Sequence, residues 1–545
     1  MADPRGRGRL PGFSGSAGSS GSAGSLGSPG SSGSAGSSGS AGSLDRAGSP
    51  EFAGSCDGRL LLKSLRARSA HFGHGIYLGT GAGSTPAFAP PEHGVLALGP
   101  PRVGKTSAVI IPNVLSAAGP VVAASTKPDV LEATAPARLG VSPCGLFDLS
   151  GRVKAPPGVE RVAWSPLSAS LDWDQALLVA ESMVRAARPG SDHGEAAHWS
   201  ERCSALLSAA FHAAAIDEMP FDRLVSAVDG REPGDLLTSL ARHDVSRPLD
   251  LLRGIIATDQ REQSGIWSTA SAVLGAYRSE SARASTRGQL IDACSFIAEG
   301  GTLYICSGTD EQRRAAPIVA GLLREVRSAA YSAAAGGRLG SAHGHPPLLL
   351  ALDELANIAP LHDLPSLVSE GGSQGVVTLA CLQDLSQAVA RWGPSGEGYL
   401  TLFNTKLIFP GIGDRRTLES VSLLAGERDV PTTSVTPGQR SPGLAGVIGR
   451  HSPSRQTFST RKERRLPLDV IAQGSSDRIV CIDGATPAFV GLTPWFSSSP
   501  FHQIVLGGGS RAPGLAVGNR SMGTREAGAL GHEREQEERD RGQSR

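Results

Sequence analysis

The sequence of 545 residues has almost no excess of charge, because 52 Lys and Arg residues stand against 51 Asp and Glu residues and leave a formal net charge of +1. Attraction of the whole chain to nucleic acid is therefore excluded, and any surface that binds phosphate must be local. Lysine is rare, so a lysine inside a motif is informative. The lysines are Lys63, Lys105, Lys127, Lys154, Lys406 and Lys462.

Paired cysteines and long apolar runs are missing as well. The seven cysteines are widely spaced and form no C-x-x-C, which indicates neither a disulfide framework nor a zinc site and favours a reducing, cytosolic environment. Cys306, Cys381 and Cys481 lie in apolar runs and are predicted to be core residues. No segment approaches about 18 consecutive apolar residues, which a membrane-spanning helix needs, and no apolar stretch follows the basic N-terminus as in a signal peptide.

Both ends of the chain have a composition that cannot form a packed core. Residues 13–55 are a Gly-Ser-Ala tract, which predicts a flexible, disordered segment over 1–55. From residue 507 a glycine-rich run leads into a charged stretch, and 507–545 is predicted to be a disordered tail. The folded part is therefore expected at 56–506.

The folded part alternates apolar runs with helical patterns. Short continuous runs rich in Val, Ile and Leu predict strands that are covered on both faces, as in a parallel α/β sheet. These runs occupy residues 94–98, 120–124, 302–307, 347–353, 376–382, 406–410 and 478–482. Between the second and third runs lie helical patterns at 172–188, 198–216, 233–243, 248–257 and 265–277. We therefore predict an α/β core in two parts, 56–165 and 296–506, with an all-α domain inserted at 166–295.

A phosphate-binding loop follows the first predicted strand. Its residues are Gly99, Pro100, Pro101, Arg102, Val103, Gly104, Lys105 and Thr106, which read G-x-x-x-x-G-K-T between a strand and an apolar helical stretch. In this motif, backbone N–H groups and the helix N-terminus bind phosphate oxygens. We predict that Lys105 reaches the β- and γ-phosphates of ATP and that Thr106 binds Mg²⁺.

Two other apolar strands end in polar residues that suit nucleotide chemistry. Asp353 and Glu354 follow the run that begins at 347, as in a Walker B element. Asp353 is predicted to hold Mg²⁺, and Glu354 to polarise the attacking water. Gln383 follows the run 376–382 and is interpreted either as a sensor of the γ-phosphate or as a simple strand cap.

These segments resemble the TraG/TraD-type coupling ATPases of type IV secretion and conjugation. The resemblance is carried by GPPRVGKTSAVIIPNVLSAAGPVVAASTKPDV, which ends just after Thr126-Lys127, by LLLALDELANIAPLHDLPSLVSEGGSQGVVTLACLQDLSQAVARWG and by TLFNTKLIFPGIGDRRTLESVSLLAGE. It extends over residues 75–500 and includes the helical insert. It implies a RecA-like P-loop NTPase core that uses ATP and Mg²⁺, assembles as a homo-hexamer and pumps DNA or nucleoprotein into a channel, together with relaxosome and type IV secretion channel proteins.

In two places the sequence departs from that family. Many members have an arginine eleven residues before the glutamine, thought to reach the nucleotide of a neighbouring subunit, and that position is Gly372 in this chain. Arg415 and Arg416 are candidate replacements, with surface charge as the alternative. Members also have N-terminal transmembrane helices where this chain has the Gly-Ser-Ala tract. Recruitment by partners to the cytoplasmic face of the plasma membrane, a dispensable anchor and an atypical start are the alternatives.

The best local candidate for a DNA contact is a basic stretch with few acidic residues. It is rich in Ser, Pro and Gly, which predicts a flexible loop that either contacts phosphates without reading bases or has no partner. The candidates are Arg450, Arg455, Arg461, Lys462, Arg464 and Arg465, and Arg440 and His451 lie in the same stretch.

The leading hypothesis from the sequence is a conjugative coupling ATPase. One alternative is a DNA translocase of the FtsK or HerA kind, and another is a protein-secretion ATPase without a DNA role. A third is an adaptor that binds nucleotide but hydrolyses it negligibly because the arginine is missing. Stimulation of ATP hydrolysis by DNA separates these hypotheses.

Overall fold

The structure is a computed structural model that describes residues 58–81, 85–188, 194–308, 312–436, 455–474, 478–484 and 486–508. The segment 1–55 and most of 507–545, both predicted to be disordered, lie outside these ranges.

The described strands form one large sheet and a separate two-stranded ribbon. They are β1 (Tyr77–Thr80), β2 (Pro86–Phe88), β3 (Val95–Leu98), β4 (Val121–Ser125), β5 (Cys144–Asp148), β6 (Glu160–Arg161), β7 (Thr302–Cys306), β8 (Leu348–Leu352), β9 (Val376–Leu382), β10 (Thr405–Ile408), β11 (Glu427–Thr436), β12 (Arg455–Arg464), β13 (Arg478–Ile482) and β14 (Ala488–Gly491). The sheet has the order β2-β1-β14-β13-β10-β3-β9-β8-β4-β7-β5-β6, and β11 pairs with β12 in the ribbon. All strands from β10 to β6 in this order are parallel, and the other four extend the sheet by antiparallel pairs. The predicted mostly parallel α/β sheet is confirmed.

Every apolar run that was predicted as a strand is a strand of this sheet, namely β3, β4, β7, β8, β9, β10 and β13. These runs are continuously apolar because both faces of the sheet are buried. In β3, Val95 and Ala97 belong to one buried cluster, whereas Leu96 and Leu98 belong to another, as expected when successive side chains point to opposite faces. The cysteines predicted to be core residues, in β7, β9 and β13, are buried.

Helices pack against the sheet on the chain segments between the strands. In chain order they are α1 (Gly58–His71), α2 (Ile111–Ser116), α3 (Asp129–Arg138), α4 (Trp173–Ala187), α5 (Gly194–Ile216), α6 (Phe221–Gly230), α7 (Gly234–Arg242), α8 (Ser246–Ile256), α9 (Gln260–Val273), α10 (Glu280–Ala284), α11 (Ala293–Ala298), α12 (Gln312–Ala335), α13 (Leu364–Glu370), α14 (Leu385–Trp392), α15 (Tyr399–Leu402), α16 (Arg415–Ala425), α17 (Leu468–Gln473) and α18 (Phe501–Gly508).

The five helical patterns predicted between β4 and β7 are present as α4, α5, α7, α8 and α9, whereas α6 was not predicted. Asp172 is the N-cap of α4, since its carboxylate accepts a hydrogen bond from the Gln175 N–H at 2.9 Å. Helix α4 packs against both α5 and α12. One continuous buried cluster joins these helices to the sheet, with α7, α8 and α9 packed on α5 and with α4 between α5 and α12. The limits 56–165, 166–295 and 296–506 remain a prediction.

Candidate nucleotide-binding site

Three predicted segments meet at one edge of the sheet. Strands β3, β9, β8 and β4 are consecutive and parallel, so the residues that follow them lie along the same carboxyl edge. The phosphate-binding loop at 99–106 follows β3, and Gln383 follows β9. Asp353 and Glu354 follow β8. Residues far apart in the sequence therefore share one crevice only through the order of the strands.

The backbone of the phosphate-binding loop requires glycine at two places. Gly104 has a φ of 99°, in the left-handed region that favours glycine. At Gly99, a Cβ atom would lie 2.6 Å from the Cβ of Phe409, so a larger residue does not fit between the loop and the end of β10. After the loop, Thr106–Ile110 form a π-helical turn that continues into α2, an irregularity often found at functional sites.

The Lys105 side chain folds back over the loop that precedes it. Its Nζ donates hydrogen bonds to the carbonyl oxygens of Gly99 and of Pro100, the latter at 3.0 Å. The ammonium thus lies against the loop whose N–H groups bind phosphate in this motif.

Thr106 and Asp353 are in direct contact, although 247 residues separate them. The Thr106 hydroxyl lies 2.9 Å and 3.0 Å from the two carboxylate oxygens of Asp353. Ser125, the last residue of β4, donates a second hydroxyl to Asp353 at 3.0 Å. Burial raises the pKa of Asp353, while the bonds from Thr106 and Ser125 and the charge of Lys105 oppose that rise. A hydroxyl and a buried carboxylate at this spacing are the hard oxygen ligands that Mg²⁺ takes beside nucleotide phosphates.

Glu354 lies beside this pair and is only partly exposed. Its carboxylate accepts a hydrogen bond from Asn357 Nδ2 at 3.1 Å. Burial and the Asp353 carboxylate raise the pKa of Glu354, and Lys105, Asn357 and Lys127 act in the opposite direction. Ser125, Asn357 and Lys127 were not predicted as site residues. The sequence carries no signal for Ser125, because it does not reveal that β4 lies next to β8.

Gln383 lies at the end of β9, between the strands that carry the loop and the acidic pair. Its backbone N–H donates to the Gln387 side chain at 2.9 Å, and Asp384 caps α14. This location suits a contact with a terminal phosphate, and the role of Gln383 remains a prediction.

Arg415 and Arg416 stand at the start of α16 and are exposed. Arg415 pairs with Glu419 at 2.7 Å, and Arg416 pairs with Glu397 at 2.6 Å. Both guanidinium groups therefore have carboxylate partners within their own chain. Their role as replacements for the missing arginine remains a prediction.

Gly372 occupies a position without room for a side chain. It is buried, and a Cβ atom there would lie 2.3 Å from the carbonyl oxygen of Glu92 and 2.7 Å from the Glu92 Cβ. Local backbone packing therefore leaves room only for glycine at the position where many members of the family have arginine.

The basic stretch is not a flexible loop throughout, so that part of the prediction is wrong. Residues 455–464 form β12, which pairs with β11 because Thr on both strands, Val on β11 and Phe on β12 favour extended structure. Lys462 lies opposite Asp429 and Arg464 lies opposite Glu427, whereas Arg461 lies opposite Val430. Arg440, Arg450 and His451 are outside the described residues, and of Arg455 only the backbone is described.

Two kinds of feature are absent from the described ranges. No cluster of three or more His, Cys, Asp and Glu side chains with the spacing of a metal site occurs in them. Nor does any helix in these ranges combine the length and the apolar character needed to cross a bilayer.

The site consists of a strand, a G-x-x-x-x-G-K-T loop and a helix, and a buried aspartate from a second strand is hydrogen-bonded to the loop threonine. This arrangement defines a P-loop NTPase with a RecA-like core. A family model described as the TraM recognition site of TraD and TraG matches residues 347–473, which contain the acidic pair, Gln383 and the ribbon. The predicted resemblance to TraG/TraD-type coupling proteins is confirmed.

Solved structures of a conjugative coupling protein have the same fold. Bacterial TrwB in its unbound form superposes with a TM-score of 0.57 at 18% identity, covering 80% of this chain and 92% of that chain. TrwB in complex with the GTP analogue GDPNP gives 0.56 at 18% identity, covering 80% and 92%. TrwB in complex with ADP and Mg²⁺ gives 0.55 at 19% identity, covering 76% and 88%. No curated protein matches this sequence.

Proposed function

We propose that this chain is an ATP-driven coupling protein that recruits DNA or nucleoprotein and pumps it into a type IV secretion or conjugation channel. The observation that carries the proposal is the contact between Thr106 and Asp353, at 2.9 Å and 3.0 Å, which joins the phosphate-binding loop to the Walker B strand. The match of 347–473 to the TraM recognition site of TraD and TraG supports the coupling role.

In this proposal the loop binds the phosphates of ATP through its backbone N–H groups and through Lys105. The loop is held in place because Gly99 donates its N–H to the Leu382 carbonyl at 3.2 Å, which ties the loop to the end of β9. Thr106 and Asp353 would hold Mg²⁺, which screens phosphate charge when it is bound. Ser125 keeps the Asp353 carboxylate oriented toward Thr106.

Hydrolysis in this site transfers the terminal phosphoryl group to water. The water oxygen forms a bond to the γ-phosphorus, and the bond from that phosphorus to the β–γ bridging oxygen breaks, so that ADP leaves with the electron pair. Glu354 accepts one proton of the water, and the other remains on the phosphate that is formed. Asn357 fixes the Glu354 carboxylate at 3.1 Å for this task.

The proposed assembly is a homo-hexamer. Relaxosome and channel proteins recruit it to the cytoplasmic face of the plasma membrane. The proposed DNA contact is the ribbon of β11 and β12, whose described residues are largely exposed. A DNA translocase of the FtsK or HerA kind shares this motor chemistry. The packing at Gly372 favours a second candidate, a nucleotide-binding adaptor with negligible hydrolysis, because the family's arginine has no counterpart there.

The test compares ATP hydrolysis by the full chain with and without single- and double-stranded DNA. The wild-type protein is expected to hydrolyse ATP slowly and faster with DNA, and Lys105→Ala is expected to abolish the activity. Lys154→Ala, which removes an exposed lysine outside the site, is the control. Equal rates in the wild-type protein and in Lys105→Ala would contradict the ATPase proposal. Nucleotide binding without hydrolysis would favour the adaptor.

A further inference from the structure

Lys127 lies beside the acidic pair, in the segment after β4 that also resembles the coupling family but that the sequence did not place in the site. Strands β4 and β8 are parallel neighbours, and the Asp353 N–H donates to the Ala124 carbonyl at 3.0 Å. The next residue, Ser125, donates its hydroxyl to Asp353 at 3.0 Å. The Lys127 N–H donates to the same Ser125 hydroxyl at 3.4 Å. Two hydrogen bonds therefore connect the backbone of Lys127 to Asp353.

The backbone at Lys127 is constrained from both sides. Pro128 follows it, which disfavours the helical region for Lys127 and leads into α3. The Lys127 side chain is exposed, and none of the ion pairs in the described ranges includes it. A four-carbon stem on a fixed backbone can place its ammonium over the crevice.

Three other cations considered for the chemistry, Lys105, Arg415 and Arg416, already have partners. Lys105 donates to two carbonyl oxygens of the loop, and Arg415 and Arg416 pair with glutamates. Gly372 has no side chain and no room for one. Lys127 follows the carboxyl end of β4, the strand next to the one that carries the acidic pair.

We propose that Lys127 is a catalytic residue that binds the terminal phosphoryl group of ATP within its own chain. Its ammonium stabilises the negative charge on the γ-phosphoryl oxygens while the bond to water forms and the bond to the β–γ bridging oxygen breaks. This inference rests on the proposed ATPase function. It assigns to Lys127 the charge stabilisation that a trans-acting arginine supplies in other phosphoryl-transfer enzymes.

The experiment measures kcat and KM for ATP in the full chain for the wild-type protein, Lys127→Ala, Lys127→Arg and Lys154→Ala. Removal of one preorganised transition-state donor typically lowers kcat by about 10²–10³-fold, and this loss is expected for Lys127→Ala. Lys127→Arg keeps the charge and is expected to recover activity to within about tenfold of wild type. Binding of ADP with Mg²⁺ is expected to stay within about threefold in all variants, because ADP lacks the γ-phosphoryl group that Lys127 is proposed to bind.

Two results would overturn the role of Lys127 and leave the ATPase proposal intact, provided that the wild-type protein hydrolyses ATP and Lys105→Ala does not. The first is a Lys127→Ala variant with unchanged kcat. The second is a variant whose loss of ADP affinity matches its loss of kcat, which would make Lys127 a contact of the part of the nucleotide that ADP shares with ATP and not of the terminal phosphoryl group. A wild-type protein that binds ATP without hydrolysing it would overturn both the ATPase proposal and this inference. Far-UV circular dichroism of each variant verifies that the exposed substitution leaves the fold intact.

Discussion

Replacing Gly372 by arginine restores the residue that many TraG/TraD-type proteins have at this position, and we expect it to destabilise the protein without raising its ATPase activity. The added Cβ atom would lie 2.3 Å from a carbonyl oxygen and 2.7 Å from a Cβ atom, both of Glu92. Neither atom is the end of a flexible side chain, so the backbone itself must move. Overpacking of this kind costs about 1–3 kcal/mol, and burial of the guanidinium adds to that cost.

Thermal unfolding followed by far-UV circular dichroism measures this effect. Gly372→Ala, which introduces only the Cβ atom, is expected to lower the free energy of unfolding by the overpacking cost of about 1–3 kcal/mol, and Gly372→Arg by more. Gly254→Arg is the matched control, because Gly254 is exposed on α8 and a Cβ atom added there would have no other atom within 4 Å. Removing a glycine from a helix interior stabilises by up to about 1 kcal/mol, so this variant is expected to be at least as stable as wild type. A Gly372→Arg protein that melts with wild type and hydrolyses ATP faster would refute the reasoning.

The site and the ribbon lead to three other predictions. Asp353→Asn is expected to abolish the effect of Mg²⁺ on nucleotide affinity. Ser125→Ala removes one supporting hydrogen bond and should weaken Mg²⁺ binding by about fivefold. Titration of fluorescent ADP at several Mg²⁺ concentrations measures both effects. Arg461→Ala is expected to weaken DNA binding more than Lys462→Ala, because Lys462 faces Asp429 across the ribbon and Arg461 faces Val430. A phosphate contact also predicts a loss of about 0.9 in the slope of log K against log salt, and an unchanged slope in Arg461→Ala would contradict that contact. Since Lys127 belongs to the chain whose phosphate it is proposed to bind, turnover per chain should vary by less than about twofold with protein concentration, whereas dependence on a trans-acting residue would make it rise steeply on assembly.

The sequence predicted the parallel part of the sheet well because its strands are buried on both faces. The runs at 94–98 and 376–382 are apolar without a break, and they became β3 and β9 with little change of bounds. Strand β5 was missed because it contains Gly145 and ends at Asp148, so its apolar run is short. The antiparallel strands β1, β2 and β14 were missed because they have four, three and four residues, and β2 and β14 are in addition only partly buried.

The site was predictable where chemistry is written into a contiguous motif and unpredictable where it depends on strand order. Lys105 and Thr106 stand in one motif, and Asp353 follows an apolar strand, so each could be proposed alone. Their contact, and the part played by Ser125, require that β4 and β9 flank β8, which no local pattern encodes. The ribbon was misjudged because the Ser, Pro and Gly residues of 437–454 suggested a loop for the whole basic stretch. The strands themselves carry Thr, which favours extended structure, and form cross-strand bonds such as that of Thr432 with Ser459 at 2.8 Å.

Gly372 is better explained by its close contact with Glu92 than by the loss of an arginine. Gly372 lies before β9 and Glu92 lies before β3, and these strands are neighbours in the sheet. Glu92 has a φ of 69°, so its own turn adopts the left-handed region, which is uncommon for a residue with a side chain. The two turns thus approach each other at the amino edge of the sheet, where an arginine would require both to be rebuilt. A cation that stabilises the phosphate must then come from another part of the chain. Lys127 lies at the carboxyl edge, and two hydrogen bonds through the Ser125 hydroxyl connect its backbone to Asp353.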